Sequence, residues 1–150
     1  AASLPRIERP GAILTVIAGT AYGKRSPVDV FSPTLYVDAQ LTDGAAIEVP
    51  DEHQQRACYV AQGRIEIDDK AYDEGQFVVL AADAGPVRVR ALQASRVMLA
   101  GGAPLDGPRH IYWNFVSSTR ERIEAASRDW REHRFAPVPG DAERIPLPDE

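Results

Sequence analysis

A mostly β fold, a sandwich or barrel closed by one C-terminal helix, is what this chain predicts, and three observations carry the prediction. Up to about residue 100, short β-branched and aliphatic runs recur roughly every 8–12 residues between turn residues, the spacing of an all-β domain. Val87, Val89 and Ala91 alternate with Arg88 and Arg90, as on a strand with one dry and one wet face. After Gly101-Gly102 the pattern changes, and Thr119 to Arg134 runs without Gly or Pro.

Each element has its own signal. Ile13 to Ala18 is an apolar run ending at Gly19; Leu35 to Leu41 ends at Thr42-Asp43-Gly44; Ala45 to Val49 ends at Pro50. Arg56 to Ala61 and Arg64 to Asp68 flank Gln62-Gly63, which reads as a tight hairpin turn with glycine at a positive φ. Phe77 to Leu80, Val87 to Ala91 and Arg96 to Ala100 complete the strands. The helix is expected at about 119–134, with Ile123, Ala126 and Trp130 along its apolar stripe. Ser118 followed by Glu121 has the spacing of a capping box, in which serine accepts from a free helix amide and glutamate returns the bond. The opposite face, almost entirely Arg, Glu and Asp, reads as a solvated one. Trp113 and Phe115 alternate as in a strand and are expected to anchor the helix to the β domain. One domain is expected over 1–136, and the tail 137–150, Pro-rich and acidic, is expected to be extended or disordered unless something binds it.

Composition bounds the function. The 150 residues suffice for one domain with a sizeable core, and 44% hydrophobic with 26% charged residues is ordinary for a soluble protein. No apolar run approaches the roughly 18 residues that cross a bilayer, so no membrane partner is expected. Net charge −5 argues against direct nucleic-acid binding. Cys58 is the only cysteine and has no internal partner, and with no signal-peptide pattern at the N-terminus a reducing cytoplasm is the expected compartment. The chain starts Ala1-Ala2-Ser3 and Met98 is its one methionine, so it is expected to be processed, trimmed or cut from something longer. Two lysines, Lys24 and Lys70, among many arginines accord with a GC-rich bacterial genome.

Several phrases resemble the pirin family of bicupin proteins, specifically its second half. They are Ile17-Ala18-Gly19, Gly63, Gly75, Gly102-Ala103-Pro104-Leu105, and Asn114 to Thr119 leading into a helix that ends Trp130-Arg131-Glu132-His133-Arg134-Phe135. The resemblance covers roughly 4–136 and departs from the family at Tyr112-Trp113-Asn114. It implies a cupin double-stranded β-helix, a jelly-roll-like barrel, facing a second barrel in the full protein. It also implies that the iron site, three histidines and a glutamate, belongs to the N-terminal barrel that this chain lacks. Family activities are quercetin 2,3-dioxygenase in some bacterial members and iron-dependent modulation of transcription factors in eukaryotic ones.

No catalytic or metal-ligating residue is expected in this chain, and no cofactor. The segment Asp51-Glu52-His53-Gln54-Gln55-Arg56 resembles a cupin metal hairpin without its ligands. With Gly63 as the turn glycine, the two histidine positions fall on Val49 and Asp51 and the glutamate position on Gln55; His53 is out of register. The strand after Gly85-Pro86, where a last histidine would come, has none. A catalytic ion needs several convergent imidazole and carboxylate donors, and one histidine cannot hold it. His53 therefore reads as a loop histidine, while Asp51, His53, Gln55 and Tyr59 are the candidates to line a metal-free pocket at the open end of the barrel, for instance for a small aromatic ligand. Cys58 reads as a buried, inert thiol. His133, near the helix C-terminus, has a structural role with the helix dipole, and a metal site built from it and His110 is improbable.

The expected function is that of a metal-free C-terminal cupin half, a structural, interdomain or regulatory module without catalysis of its own. The alternative is the substrate-cleft half of an iron-dependent dioxygenase whose metal lies in the missing barrel. A third reading, a metal-independent isomerase, would have only His53 and Asp51 to work with. Loss of a facing barrel would expose an apolar surface of interface size, so the expected partner is the missing N-terminal cupin domain, or a second copy through the same surface.

Overall fold

The computed structural model of the chain describes residues 3–141, 143 and 145–148, which fall into two compact units, Ala1–Pro104 and Leu105–Glu150. The first holds strands β1 (Arg6–Arg9), β2 (Ala12–Ala21), β3 (Lys24–Arg25), β4 (Thr34–Leu41), β5 (Ala46–Val49), β6 (Gln55–Gln62), β7 (Arg64–Ile67), β8 (Lys70–Asp73), β9 (Phe77–Leu80), β10 (Val87–Ala91) and β11 (Ser95–Gly102). The second holds β12 (His110–Tyr112), β13 (Phe115–Ser117) and helix α1 (Arg120–Arg131).

Two antiparallel sheets make the first unit a cupin-type barrel. The larger runs β1-β2-β4-β11-β6-β9, with β3 on β2; the smaller runs β5-β10-β7-β8. The expected alternation decides what faces the interior. Leu14, Val16, Val37, Val60, Val97 and Leu99 of the larger sheet are fully buried and share one core with Ile47, Val49, Ile65 and Val89 of the smaller. Each such side chain contributes about 1.5–3 kcal/mol. On β10, Val87, Val89 and Ala91 are buried while Arg88 is exposed and Arg90 half-exposed, bonded to Glu66 at 3.0 Å through Nε.

Gly63 has the expected positive φ, 85°, but its two flanking strands do not form a hairpin. β6 pairs with β11 and β9, whereas β7 pairs with β10 and β8, so Gly63 marks the corner where the chain leaves one sheet for the other. A Cβ there would lie 2.5 Å from the Ala94 carbonyl oxygen. β1, β3 and β8 carry no strand signal in the sequence: Arg6–Arg9 is mostly exposed and charged, Lys24–Arg25 is two residues long, and Lys70–Asp73 is a four-residue segment with charged, exposed ends.

The helix starts one residue later than its capping signal suggests. Thr119, not Ser118, is the N-cap, accepting from the Arg122 amide at 3.4 Å, while Ser117 Oγ accepts from the Thr119 amide. With arginine at that third position the reciprocal bond of a capping box is lost. The helix ends at Arg131, and His133 is left-handed at φ 56° just beyond the C-cap Glu132. Trp130 Nε1 donates to the Ile145 carbonyl at 2.9 Å, which ties the otherwise irregular tail to α1. No helix among the described residues is long and apolar enough to cross a membrane.

Candidate functional site

Arg56 dominates one end of the barrel. On β6 the inward side chains are Arg56, Cys58 and Val60, all buried, and Arg56 is only 2% exposed. Its Nη1 donates to the carbonyls of Gly85 (2.6 Å), Pro50 (3.2 Å) and Val49 (3.5 Å), and Nη2 to that of Ala81 (3.3 Å). One guanidinium thus pins the end of β5 and the loop between β9 and β10 to β6. Nε is buried without a partner among the described residues. Arginine does not lose its proton in proteins, so a full positive charge sits inside this end of the barrel.

That arrangement does not fit a metal. Val49 is buried in the core, Asp51 is exposed, Gln55 faces outward, and the inward position beside it, Arg56, holds a cation. Among the described residues, no three His, Cys, Asp or Glu side chains converge to hold an ion.

The four expected pocket residues are scattered. His53 is a loop histidine, as expected, but a buried one: its Nε2 lies 2.9 Å from the Thr20 carbonyl and 3.2 Å from the Thr20 hydroxyl. A carbonyl only accepts, so Nε2 carries the proton, and the imidazole fastens the β5–β6 loop to β2. Gln55 and Tyr59 point the other way from Arg56 and Cys58, onto the outer face of the larger sheet, and Asp51 is exposed on the loop. Strand parity would have separated Tyr59 from Cys58. Burial pushes the Cys58 thiol up to about 12, against the opposing pull of Arg56, so it stays protonated and inert at neutral pH.

The outer face of the larger sheet is apolar over much of its area. Thr15, Asp38, Met98, Tyr59 and Phe77 form one row across five strands, and Ala18, Tyr36, Ala100, Ala57 and Val79 the next. Tyr36 and Tyr59 are 38% and 39% exposed, Phe77 60% and Val79 75%. One carboxylate lies within this face. Asp38, itself buried, accepts two bonds from Arg96, at 2.8 and 3.0 Å, and this pairing keeps the Arg96 proton bound more tightly than usual. The partners are 58 residues apart, so no local pattern announces the pair. Beyond it the face turns polar, where Glu8, Arg9, Gln40, Gln62 and Arg96 border a cleft of about 790 Å³.

In the second unit the aromatic residues pack on one another. Trp113 meets Trp130 edge-on at 5.1 Å and Phe115 at 5.7 Å, and Phe135 stacks on Phe115 at 5.8 Å. Trp113 is held at φ 50° in the β12–β13 turn, a costly conformation for a large side chain that the ring contacts offset. His110 lies on β12 and His133 past the end of α1.

Comparison with known proteins adds lineage to this geometry. Residues 36–136 match the family model of the pirin C-terminal cupin domain. A pirin-like protein of Caulobacter vibrioides is 44% identical over 149 residues, which cover 99% of this chain and 51% of that protein. Human pirin is 31% identical over 134 residues, 85% of this chain and 46% of its own length. The crystal structure of a quercetin 2,3-dioxygenase from Acinetobacter baumannii superposes with a TM-score of 0.87 at 27% identity, covering 97% of this chain and 50% of that one. The chain spans about half the length of the curated relatives it matches.

Proposed function

The chain belongs to the pirin family, through its C-terminal cupin domain, and on that premise we propose that it is a docking module without metal chemistry of its own. Its outer sheet face seats a second cupin barrel, supplied by the other half of a protein of twice this length. The observation that carries the reading is the exposed patch of Tyr59, Phe77 and Val79, spread over two neighbouring rows of an otherwise well-packed barrel; apolar surface of this kind marks interaction sites. The Asp38–Arg96 pair supports it, because a carboxylate neutralised and fully hydrogen-bonded in advance can be covered at little further cost. Arg56 is the reason for assigning no metal to this barrel.

Without its facing barrel, the chain should cover this face with a second copy. Sedimentation equilibrium at about 10–100 μM, far above the Kd of an ordinary stable interface, is expected to show a concentration-dependent dimer. The double substitution F77E and V79E should leave a monomer with an unchanged denaturation midpoint, since both side chains are exposed. A wild-type monomer throughout that range would contradict the docking face.

A second reading has one observation in its favour. Tyr59 and Phe77, paired across β6 and β9, both face outward, and a solved structure similar to this chain is a quercetin 2,3-dioxygenase; the face could wall a cleft for a flavonol-like substrate, with iron in the other barrel. Under that reading Y59A and F77A lose flavonol binding while the association of the halves survives.

A further inference from the structure

We propose that the cleft between β12 and α1 in the second unit binds an extended acidic stretch of polypeptide, which adds as a strand to the open edge of β12. The cleft measures about 740 Å³. One wall is a single face of α1, where Arg120, Ile123, Glu124, Ser127 and Arg128 recur at helical spacing, and the other is Arg109 to Tyr112. In the sequence its arginines and Glu124 read as part of a solvated face and Ile123 as part of the apolar stripe; folded, they share one side of a groove.

Charge gives the first half of the argument. Arg109, Arg120, Arg128 and Arg131 line the cleft against one carboxylate, Glu124, in a chain whose net charge is −5. Arg109 is neutralised by Asp106, whose carboxyl it holds below the usual range. Arg120 and Arg128 are exposed and form no ion pair among the described residues. They are eight residues apart on the helix, about 12 Å at 1.5 Å per residue. A single small anion reaches both only if the two side chains fold inward over Glu124, whereas two carboxylates on one chain meet them directly.

The backbone gives the second half. Among the described residues β12 pairs with β13 alone, which leaves its other edge open. Tyr112 opposite Phe115 closes a two-residue turn and is the hydrogen-bonded pair; Ile111, opposite Val116, then occupies the position whose N–H and C=O point away from the hairpin. The Ile111 side chain, also in the cleft lining, is 72% exposed. An open edge is a template for an added strand, but three residues of pairing are weak alone, and the arginines supply the rest.

The two halves fix a ligand pattern. Residues four apart in a strand lie about 13 Å apart on the same side, matching the Arg120–Arg128 spacing. Glu124, midway, repels a carboxylate two residues along. The preferred segment therefore carries Asp or Glu at positions i and i+4, with an uncharged or basic residue at i+2.

The test uses the full chain, isotope-labelled, and a fluorescein-tagged Val-Glu-Val-Thr-Val-Glu-Val peptide. Binding is expected to weaken at least tenfold for the R120Q and R128Q double variant, whose exposed positions leave the fold intact, and at least tenfold when both peptide glutamates are lysine. It should also weaken when the central threonine is glutamate, and the Ile111 amide should become protected from solvent exchange at saturation. No binding at 1 mM peptide, equal binding by the double variant, an Ile111 amide that exchanges as fast with peptide as without, or tighter binding of an oligo-thymidylate of equal charge would each overturn the proposal.

Discussion

Replacing Arg56 with alanine is expected to destabilise the chain by about 3–5 kcal/mol, read as a shift in the denaturant midpoint at constant slope. Four backbone carbonyls, of Val49, Pro50, Ala81 and Gly85, accept from this guanidinium. Removing it takes a donor from the buried Val49 carbonyl and from the part-buried Pro50 and Gly85 carbonyls, at about 1–3 kcal/mol each unless water replaces it, while Ala81 keeps the Ala84 amide. Methionine makes a sharper variant than alanine. R56M keeps the volume of the stem and shuts water out, so it should cost at least as much as R56A; a near-neutral R56M would show that Arg56 matters for packing and not for its hydrogen bonds. Lysine, a point donor where the fork geometry is used, should fall between wild type and alanine.

The second large effect is expected at Gly19. The residue sits at φ 73°, and a Cβ there would lie 1.7 Å from the Thr34 carbonyl oxygen, a backbone atom that cannot swing aside. Gly19 pairs with Leu35, just past the point where the β2–β4 register shifts between Val16 and Ala18. Alanine must therefore both adopt a left-handed conformation and push two paired strands apart. We expect G19A to lose about 3–5 kcal/mol, seen as a collapsed thermal midpoint or insoluble protein. Gly44, also at positive φ but with open space around its missing Cβ, is the control: G44A should cost only about 1 kcal/mol. Equal effects at the two sites would show that backbone conformation, not the close approach of strands, decides the penalty.

These residues also show what the sequence can and cannot reveal. Val87, Val89 and Ala91 announce their strand because its signal is local: alternation needs nothing beyond its neighbours. Gly19 and Gly63 announce a special backbone, but what crowds them, Thr34 and Ala94, is set by strand pairing, so Gly63 reads as a hairpin when it is a corner between sheets. Arg56 is the plainest loss. Inside a short β-run an arginine reads as the wet face, and the carbonyls that make burial tolerable lie up to 29 residues away. His53 misleads in the same direction, since its loop is polar and its partner Thr20 is 33 residues off. In contrast, the lack of a metal-ligand pattern around Val49, Asp51 and Gln55 is a matter of residue type, and type is what a sequence states directly. What stands there instead, a guanidinium one residue along, needed the fold.

The same comparison separates the two faces of β6. The sequence offers Tyr59 as a lining residue at the open end of the barrel; parity places it outside, beside Phe77. The shift moves the candidate binding residue Tyr59 from a pocket in the barrel to the outer face of the larger sheet.

The most direct test of the account is the metal content of the purified chain after incubation with excess Fe²⁺, Mn²⁺, Ni²⁺ and Zn²⁺ and desalting. Val49 and Arg56 occupy the interior where ligands would be needed, and a buried guanidinium repels a divalent cation. The account predicts less than about a tenth of an equivalent of any metal, as expected where convergent donors are lacking. Near-stoichiometric iron or nickel, lost on H53A, would contradict it, make His53 a ligand, and return oxidative chemistry to this barrel.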